Sequence, residues 1–267
     1  MWLFYGLLAA AIWSSGDNVI SILVKHYEKN PVMIAWLQSI YELIFLSVIA
    51  ISFDIRTQHI LPLILSGAFS YGAFVFFIYT LQHVDVSVSA AAWAILAIFM
   101  SIIGLTFFGE WWSNLQTLGV VLVIGSVFFL AYWQKHVPLF TTLFLLSILA
   151  LLYVPYYATQ KWALLGGASL LSVFFWQMLS AKSCAIFLPV VRTTFRKNLL
   201  TCLHTKNSSF ALLTFYSGVA SLTGFYFMTK AYSLGFASLV SMTESAMPFF
   251  SILIAYVLTL LIPRFAP

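Results

Sequence analysis

The chain reads as a series of apolar runs, each near the length that crosses a bilayer, with little polar sequence between them. Charge, proline and glycine punctuate it into nine such runs: Trp2–Val24, Val32–Phe53, Ile60–Leu81, Val86–Phe108, Leu115–Trp133, Leu139–Thr159, Ser169–Pro189, Phe210–Tyr232 and Ala237–Ile262. A helix needs about 20 apolar residues to span hydrocarbon, and these runs are continuous rather than alternating, so strands of a barrel are excluded. Lipid cannot satisfy free backbone groups, which leaves a helix bundle. Only 7% of the 267 residues are charged and 63% are hydrophobic. A soluble domain carries about a quarter charged residues, so this chain cannot coat itself for water. The expected fold class is therefore all-α, a polytopic membrane helix bundle of about nine transmembrane helices.

The first run has no preceding basic residues and is too long for a cleavable leader, so it is expected to remain as a helix. Trp2, Trp111, Trp112 and Trp133 fall near run ends, as an interfacial aromatic belt predicts. "SNLQ", Ser113 to Gln116, has capping-box spacing and suits a new helix after a tight turn. The net charge of +5 is accounted for by basic loops against anionic headgroups, and no nucleic-acid partner is expected. Cys184 and Cys202 form no disulfide framework or metal spacing.

Self-comparison finds a repeat. "SGAFSYGAFVFFIYTLQHVDVSVSAAAWAILAIF", from Ser66, resembles "SGVASLTGFYFMTKAYSLGFASLVSMTESAMPFF", from Ser217, after a one-residue gap. Gly72 then matches Gly224, an offset of 152. Five crossings end on the opposite side of the membrane, so a five-helix unit and its copy must be inverted. Inverted repeats of this kind are a plan of secondary transporters, with a site near the midplane between the halves.

"GLLAAAIWSSGDNVIS" (from Gly6), "VDVSVSAAAWAILAIFMSIIGLTFFGE" (from Val84), "LGVVLVIGSVFFL" (from Leu118) and "LGFASLVSMTESAMPFFSILIAYVL" (from Leu234) resemble the drug/metabolite transporter superfamily, of the EamA type. The resemblance implies two inverted five-helix repeats. Residues 1–135 form the first, and residues 136–267 form a second with four helices, because the offset carries Gly109-Glu110 onto Leu261-Ile262 and the tail "PRFAP" follows. A tenth helix is expected to be missing. Basic residues favour the loops after odd-numbered helices and the tail (Lys25, Lys29, Lys135, Arg192, Arg196, Lys197, Lys206, Arg264) over the even-numbered loops (Arg56, Lys161). The positive-inside rule thus places the N-terminus outside, whereas the resemblance implies an N-terminus inside.

Asp17, Glu42, Lys182, Lys230 and Glu244 fall within the runs. An ionised group in hydrocarbon costs about 2.5–3.5 kcal/mol on insertion scales, so each should face the bundle interior or a wet cavity. Lys230, near a run end, suits an interface anchor. Polar stripes accompany the acids at helical spacing: Ala10, Ser14, Asp17 and Ser21; Gln38 and Glu42; Ser217, Ser221 and Gly224; Ser241, Glu244, Pro248 and Ser251. Their competing reading is plain helix packing. Asp17 beside Asn18 also reads as a structural hydrogen-bonded pair, and Glu42 with Lys182 as a static ion pair. Pro248 should free the carbonyl of Glu244. No other charge on its helix neutralises Glu244, and a carboxyl group enclosed alone avoids the cost by holding a proton. Trp13 and Trp93 lie far from run ends and suit an apolar binding face.

These residues set the expected function: a secondary membrane transporter of a small organic metabolite or drug-like compound, working by alternating access with proton coupling or exchange. Asp17, Glu42 and Glu244 are its candidate proton or cation sites and Lys182 a candidate for an anionic group. Ser14, Asn18, Gln38 and Ser241 would line the polar interior. The competing expectation is a non-transporting membrane subunit or a degenerate truncated paralogue. No enzyme, cofactor or metal is expected: there is no HExxH, P-loop or nucleophile elbow, and His26, His59, His83, His136 and His204 fall in predicted loops. The expected partners are the lipid bilayer, the small-molecule substrate and protons, in the cell (inner) membrane.

Overall fold

The computed structural model describes residues 1–84, 86–133, 139–205 and 208–261. The loop around Lys135, Lys206 and the tail with Arg264 lie outside the described residues. Helices α1 (Trp2–Ile22, continued by a π-helical turn, Leu23–Tyr27), α2 (Pro31–Ser52) and α3 (Ile60–Thr80) cross first. The fourth predicted run is broken into α4 (Val86–Ser89) and α5 (Ala91–Phe107) and is followed by α6 (Asn114–Trp133). Then come α7 (Leu139–Leu165), α8 (Leu170–Val190), α9 (Thr193–Thr205) and α10 (Ser208–Leu234). The ninth run is broken too, into α11 (Ala237–Met242), a 3-10 turn (Thr243–Ala246) and α12 (Met247–Leu261). Among the described residues, seven helices are long and apolar enough to cross a membrane, and α5 and the described apolar part of α6 are shorter. The chain is an integral, multi-pass helix bundle.

Local chemistry sets several helix ends. Asn30 caps α2 by accepting a hydrogen bond from Val32 N at 3.0 Å, with Pro31 at the first helical position. Ser113 N donates to Gln116 Oε1 at 2.7 Å and Gln116 N to Ser113 Oγ at 3.3 Å, the reciprocal capping box that the spacing predicts. Pro248 bars a regular turn before it, which fits the 3-10 segment at Thr243–Ala246.

Two expectations are corrected. The sixth run was expected to end at Thr159, but α7 continues to Leu165 and draws Lys161 out of the predicted loop into the interior, where it is 7% exposed. The basic connection after Pro189 was expected to be a loop, yet it folds as α9. Its apolar stripe, Phe195, Leu199 and Cys202, recurs at four and three residues and packs inward while Arg196 and Lys197 face out. The same correction moves His204 into a helix, and His26 lies in the π-helical turn rather than a loop.

α1 is the central helix. Its most apolar window is 72% buried, against 28–50% for the other six long helices. It packs along α10 through small residues, with Gly16 facing Ala220 and Gly224 receiving the ring of Trp13. α12 packs on α1, and α2, α7 and α8 pack on α10; α3 lies against α7 and α8, α5 against α7 and α11, and α6 packs against α5 and α7. One end of the bundle holds the N-terminus and Arg56, whose N–H donates to Ser172 Oγ at 3.0 Å. The other holds Asn30 and the α3–α4 turn, where Gln82 donates to the carbonyl of Lys29.

Gly67 lies where α3 crosses α8, and a methyl there collides with the backbone carbonyl of Gln177, whereas nothing lies within 4 Å of one at Gly72. Gly67→Ala should cost about 1–3 kcal/mol through overpacking, and Gly72→Ala should be neutral or stabilising by up to about 1 kcal/mol. Thermal unfolding of the purified protein in detergent checks this, and equal effects at the two sites contradict the packing described.

Candidate functional site

Four residues of α1 at helical spacing, Trp13, Gly16, Asp17 and Ile20, form one wall of a narrow central cavity of about 30 Å³. Phe74 and Phe77 from α3, Trp93 from α5, Tyr153 and Tyr157 from α7, Ser217, Ser221 and Phe225 from α10 and Met247 from α12 complete it. The rings of Trp13 and Trp93 lie nearly parallel, 6.3 Å apart, and Phe225 meets Trp13 edge-on at 4.8 Å. Trp13 is locked in place: its Nε1 donates to the carbonyl of Ser221 at 3.3 Å, and the bare Gly224 makes room for the ring. The space between these rings is narrow, enough for about two water molecules. Asp17 is 8% exposed and its carboxylate has no hydrogen-bond or ion-pair partner among the described residues.

Glu42 and Lys182 are brought together as an ion pair. Lys182 Nζ lies 2.7 Å from Glu42 Oε2, with both side chains buried. Gln38 Nε2 donates to Glu42 Oε1 at 3.1 Å, and Ser217 Oγ donates to Gln38 Oε1 at 3.3 Å, so α2, α8 and α10 are joined by one polar chain. Lys182 also sits 5.0 Å from the centre of the Phe74 ring and lines a second, smaller space of about 10 Å³ with Ser39, Ser70 and Tyr71. That space shares Phe74, Tyr153 and Phe225 with the Asp17 cavity. On its far side, Tyr71 is also a wall of an open vestibule of about 900 Å³, lined by Asn30, Arg192, Thr194 and Asn198. The three spaces form a file from the Asn30 end to the middle of the bundle.

The opposite end is closed by groups that composition does not single out. Gly109, with φ of 64°, turns the chain so that Glu110 folds back beside Gly104. Its carboxylate accepts Ala237 N at 2.6 Å, Ser238 N at 2.9 Å and Ser238 Oγ at 2.6 Å, capping the start of α11. Lys161 Nζ donates to the carbonyls of Tyr232 at 3.2 Å and Gly235 at 2.6 Å, at the end of α10. Trp2 lies against Gly235. The α10–α11 turn is thus clamped from both sides by buried charges.

The remaining predicted residues divide between wall and packing. Ser14 Oγ donates to the carbonyls of Ala10 at 2.8 Å and Met247 at 3.1 Å, and Asn18 Nδ2 to those of Ser14 at 2.8 Å and Ser251 at 3.3 Å. They fasten α1 to the broken ninth segment and are fully buried. Ser241 donates to the carbonyl of Ser238 at 3.0 Å. Glu244 is fully buried, and neither oxygen has a well-formed hydrogen bond. It lies beside the Tyr157 hydroxyl, and Tyr157, rather than Glu244, reaches the cavity wall. Lys230 is half-buried. Gln160, Gln177 and the buried cluster of Tyr153, Tyr156, Tyr157 and Tyr232 were not anticipated. The signal for the tyrosines is "YVPYY" around Pro155, in the middle of an apolar run. No group of three or more potential metal ligands occurs among the described residues.

Removing one member of a buried pair strands the other, which costs about 3–5 kcal/mol. Lys182→Met should destabilise the protein by that order, and adding Glu42→Gln should recover most of the loss. Unfolding midpoints of the two variants in detergent measure this, and additive losses contradict a closed pair.

No curated protein matches the chain. Residues 1–132, from α1 through α6, match the model of the EamA-like transporter family. That family is one of membrane transporters, and residues 1–132 of the chain are similar to it.

Proposed function

We propose that the protein is a secondary carrier that moves a small organic solute by alternating access, with the Asp17 cavity as its central site. The observation that carries this reading is the succession of spaces sharing walls from the vestibule at the Asn30 end to the centre, opposite a turn held by buried charges. A carrier in one of its two states needs a path to the centre from one side only. The two halves, residues 1–135 and 136–267, are read as inverted repeats, and the breaks in the fourth and ninth segments support this. The offset of 152 carries Ala90, where α4 gives way to α5, onto Met242, next to the 3-10 turn at Thr243. Discontinuous helices in corresponding positions of two halves mark the binding region of such carriers.

Asp17 is the first choice for the group that takes up and releases a proton or a cargo cation, since it alone among the buried acids opens on the cavity without a partner. Glu244 serves as a second proton site behind Tyr157, reached when that ring moves. Glu42 is neutralised by Lys182 and sets the geometry of the inner space. Basic residues Lys25, Lys29, Arg192, Arg196 and Lys197 gather at the vestibule end. The positive-inside rule makes that the cytoplasmic end, in a cell (inner) membrane.

Reconstitution tests the reading. Purified protein in proteoliposomes, screened against metabolite classes for thermal stabilisation and then for flux, should give saturable uptake that is accelerated by the same solute inside. Uptake should collapse an imposed proton gradient, and Asp17→Asn should reduce it by at least tenfold at unchanged reconstitution. Normal coupled transport by both Asp17→Asn and Glu244→Gln contradicts proton coupling through these acids. Non-saturable leakage without acceleration contradicts alternating access.

A further inference from the structure

We infer that the vestibule at the Asn30 end is a binding site for a phosphate ester with a small apolar body, held by Arg192. The inference goes beyond the carrier reading, because equilibrium binding at the mouth does not require transport. Space is the first argument. Of the three spaces in the file, the vestibule is the one with room for an organic molecule, an order of magnitude larger than either inner space. The corner between α8 and α9 sets its shape. The carbonyl of Pro189, near the end of α8, accepts Arg192 N at 3.0 Å, and α9 begins at the next residue. This tight turn puts Arg192 in the vestibule wall with Tyr71, close enough to act on its hydroxyl electrostatically.

The chemistry of the lining is the second argument. Arg192 forms no ion pair with any described residue, and no carboxylate lines the vestibule. Its neutral polar groups can all donate: the Tyr71 and Thr194 hydroxyls and the Asn198 amide, the last two four residues apart on one face of α9. Asn30 adds another donor, because its Oδ1 is taken by Val32 N at 3.0 Å and its amide nitrogen remains. A guanidinium fork matches two oxygens of a phosphate, and a tetrahedral anion keeps further oxygens for donors on other sides. A planar carboxylate accepts in one plane only, and a cation meets Arg192 with no acid to offset it. Val32, Leu188 and Phe195 give the vestibule an apolar floor, and Phe195 sits edge-on to Trp36 with ring centres 6.3 Å apart.

The general attraction of basic residues to headgroups does not account for this placement. Arg196 and Lys197 face out and suit that role, whereas Arg192 lines the space. Lys182, further along the file, is neutralised by Glu42 at 2.7 Å. Arg192 is therefore the uncompensated cation met on the way in. A phosphate group reaches such a mouth either on a free solute or on a phospholipid headgroup.

The test uses the full chain in a maltoside detergent and phosphate-free buffer. Phenyl phosphate, phenylacetate, benzyl alcohol and benzyltrimethylammonium serve as matched probes. Binding is followed by calorimetry and by fluorescence, to which Trp36 beside the vestibule contributes. Phenyl phosphate should bind saturably and at least tenfold more tightly than the other three. Loss of charged hydrogen bonds to an anion weakens binding by about 10- to 100-fold, and Arg192→Gln should show that loss. Asn198→Ala should weaken binding several-fold, and Arg196→Gln should leave it within about twofold. Arg192 and Arg196 are both exposed, so each variant should keep the wild-type unfolding midpoint. Dihexanoyl phosphatidate and glycerol phosphate separate the two sources. Tighter binding of the lipid supports the site as one for a headgroup, and equal or tighter binding of glycerol phosphate supports it as one for a free solute. No saturable phosphate binding by folded wild-type protein overturns the inference. So do equal binding of another probe, full binding by Arg192→Gln or an equal loss in Arg196→Gln. Phosphate binding without flux of any solute contradicts the carrier reading and leaves the site standing, and coupled flux without phosphate binding does the reverse.

Discussion

Hydrocarbon offers no hydrogen bond, so every polar group in this bundle must find its partner within the protein or within a cavity it encloses. Most of the interior obeys the first option. Ser14 and Asn18 reach carbonyls on α12, where the ninth segment is broken, and Gln38, Glu42, Lys182 and Ser217 form one connected chain across three helices. Glu110 and Lys161 spend their charge on exposed helix ends at the α10–α11 turn. Asp17 obeys the second option, opening on a cavity instead of bonding a neighbour. The distinction between satisfied and open polar groups is what separates scaffold from site here.

The broken segments connect that distinction to motion. A continuous helix keeps its carbonyls to itself, whereas the break at Thr243–Ala246 sits between the clamped α10–α11 turn and the carbonyls bonded by α1. α11 is held by the Glu110 and Lys161 contacts and by its packing on α5, and α12 is fastened to α1. The clamp consists of a few charged hydrogen bonds to backbone, each of the order of 1.5–3 kcal/mol, within reach of what ligand binding can redistribute. The same two residues thus hold the α10–α11 turn at one end of the molecule.

The apolar runs, the α6 capping box and the burial of Asp17, Glu42, Lys182 and Glu244 were legible in the sequence because each depends on local pattern or on the cost of charge in lipid. The ion pair of Glu42 with Lys182 was legible as one of two choices. Three features escaped for reasons that are physical. Lys161 looked like a loop residue because a lysine normally ends an apolar run, and its partners, the carbonyls of Tyr232 and Gly235, are about 70 residues away. α9 was hidden because its apolar stripe is short and its composition polar. The division of the α1 stripe into a cavity face (Trp13, Gly16, Asp17) and a packing face (Ser14, Asn18) depends on which helix covers each side, and that is decided by tertiary packing.

The proposed carrier requires that water and small solutes reach the centre of the membrane from the Asn30 end alone. Its most direct test is sided cysteine labelling of Ser70→Cys and Ser221→Cys, on a background with Cys184 and Cys202 changed to serine. A small, membrane-impermeant thiosulfonate is applied to sealed vesicles of each orientation. Both positions should react from the Asn30 end and be protected from the other. Labelling from neither end, in protein whose Asn198→Cys control in the vestibule reacts normally, would contradict the account.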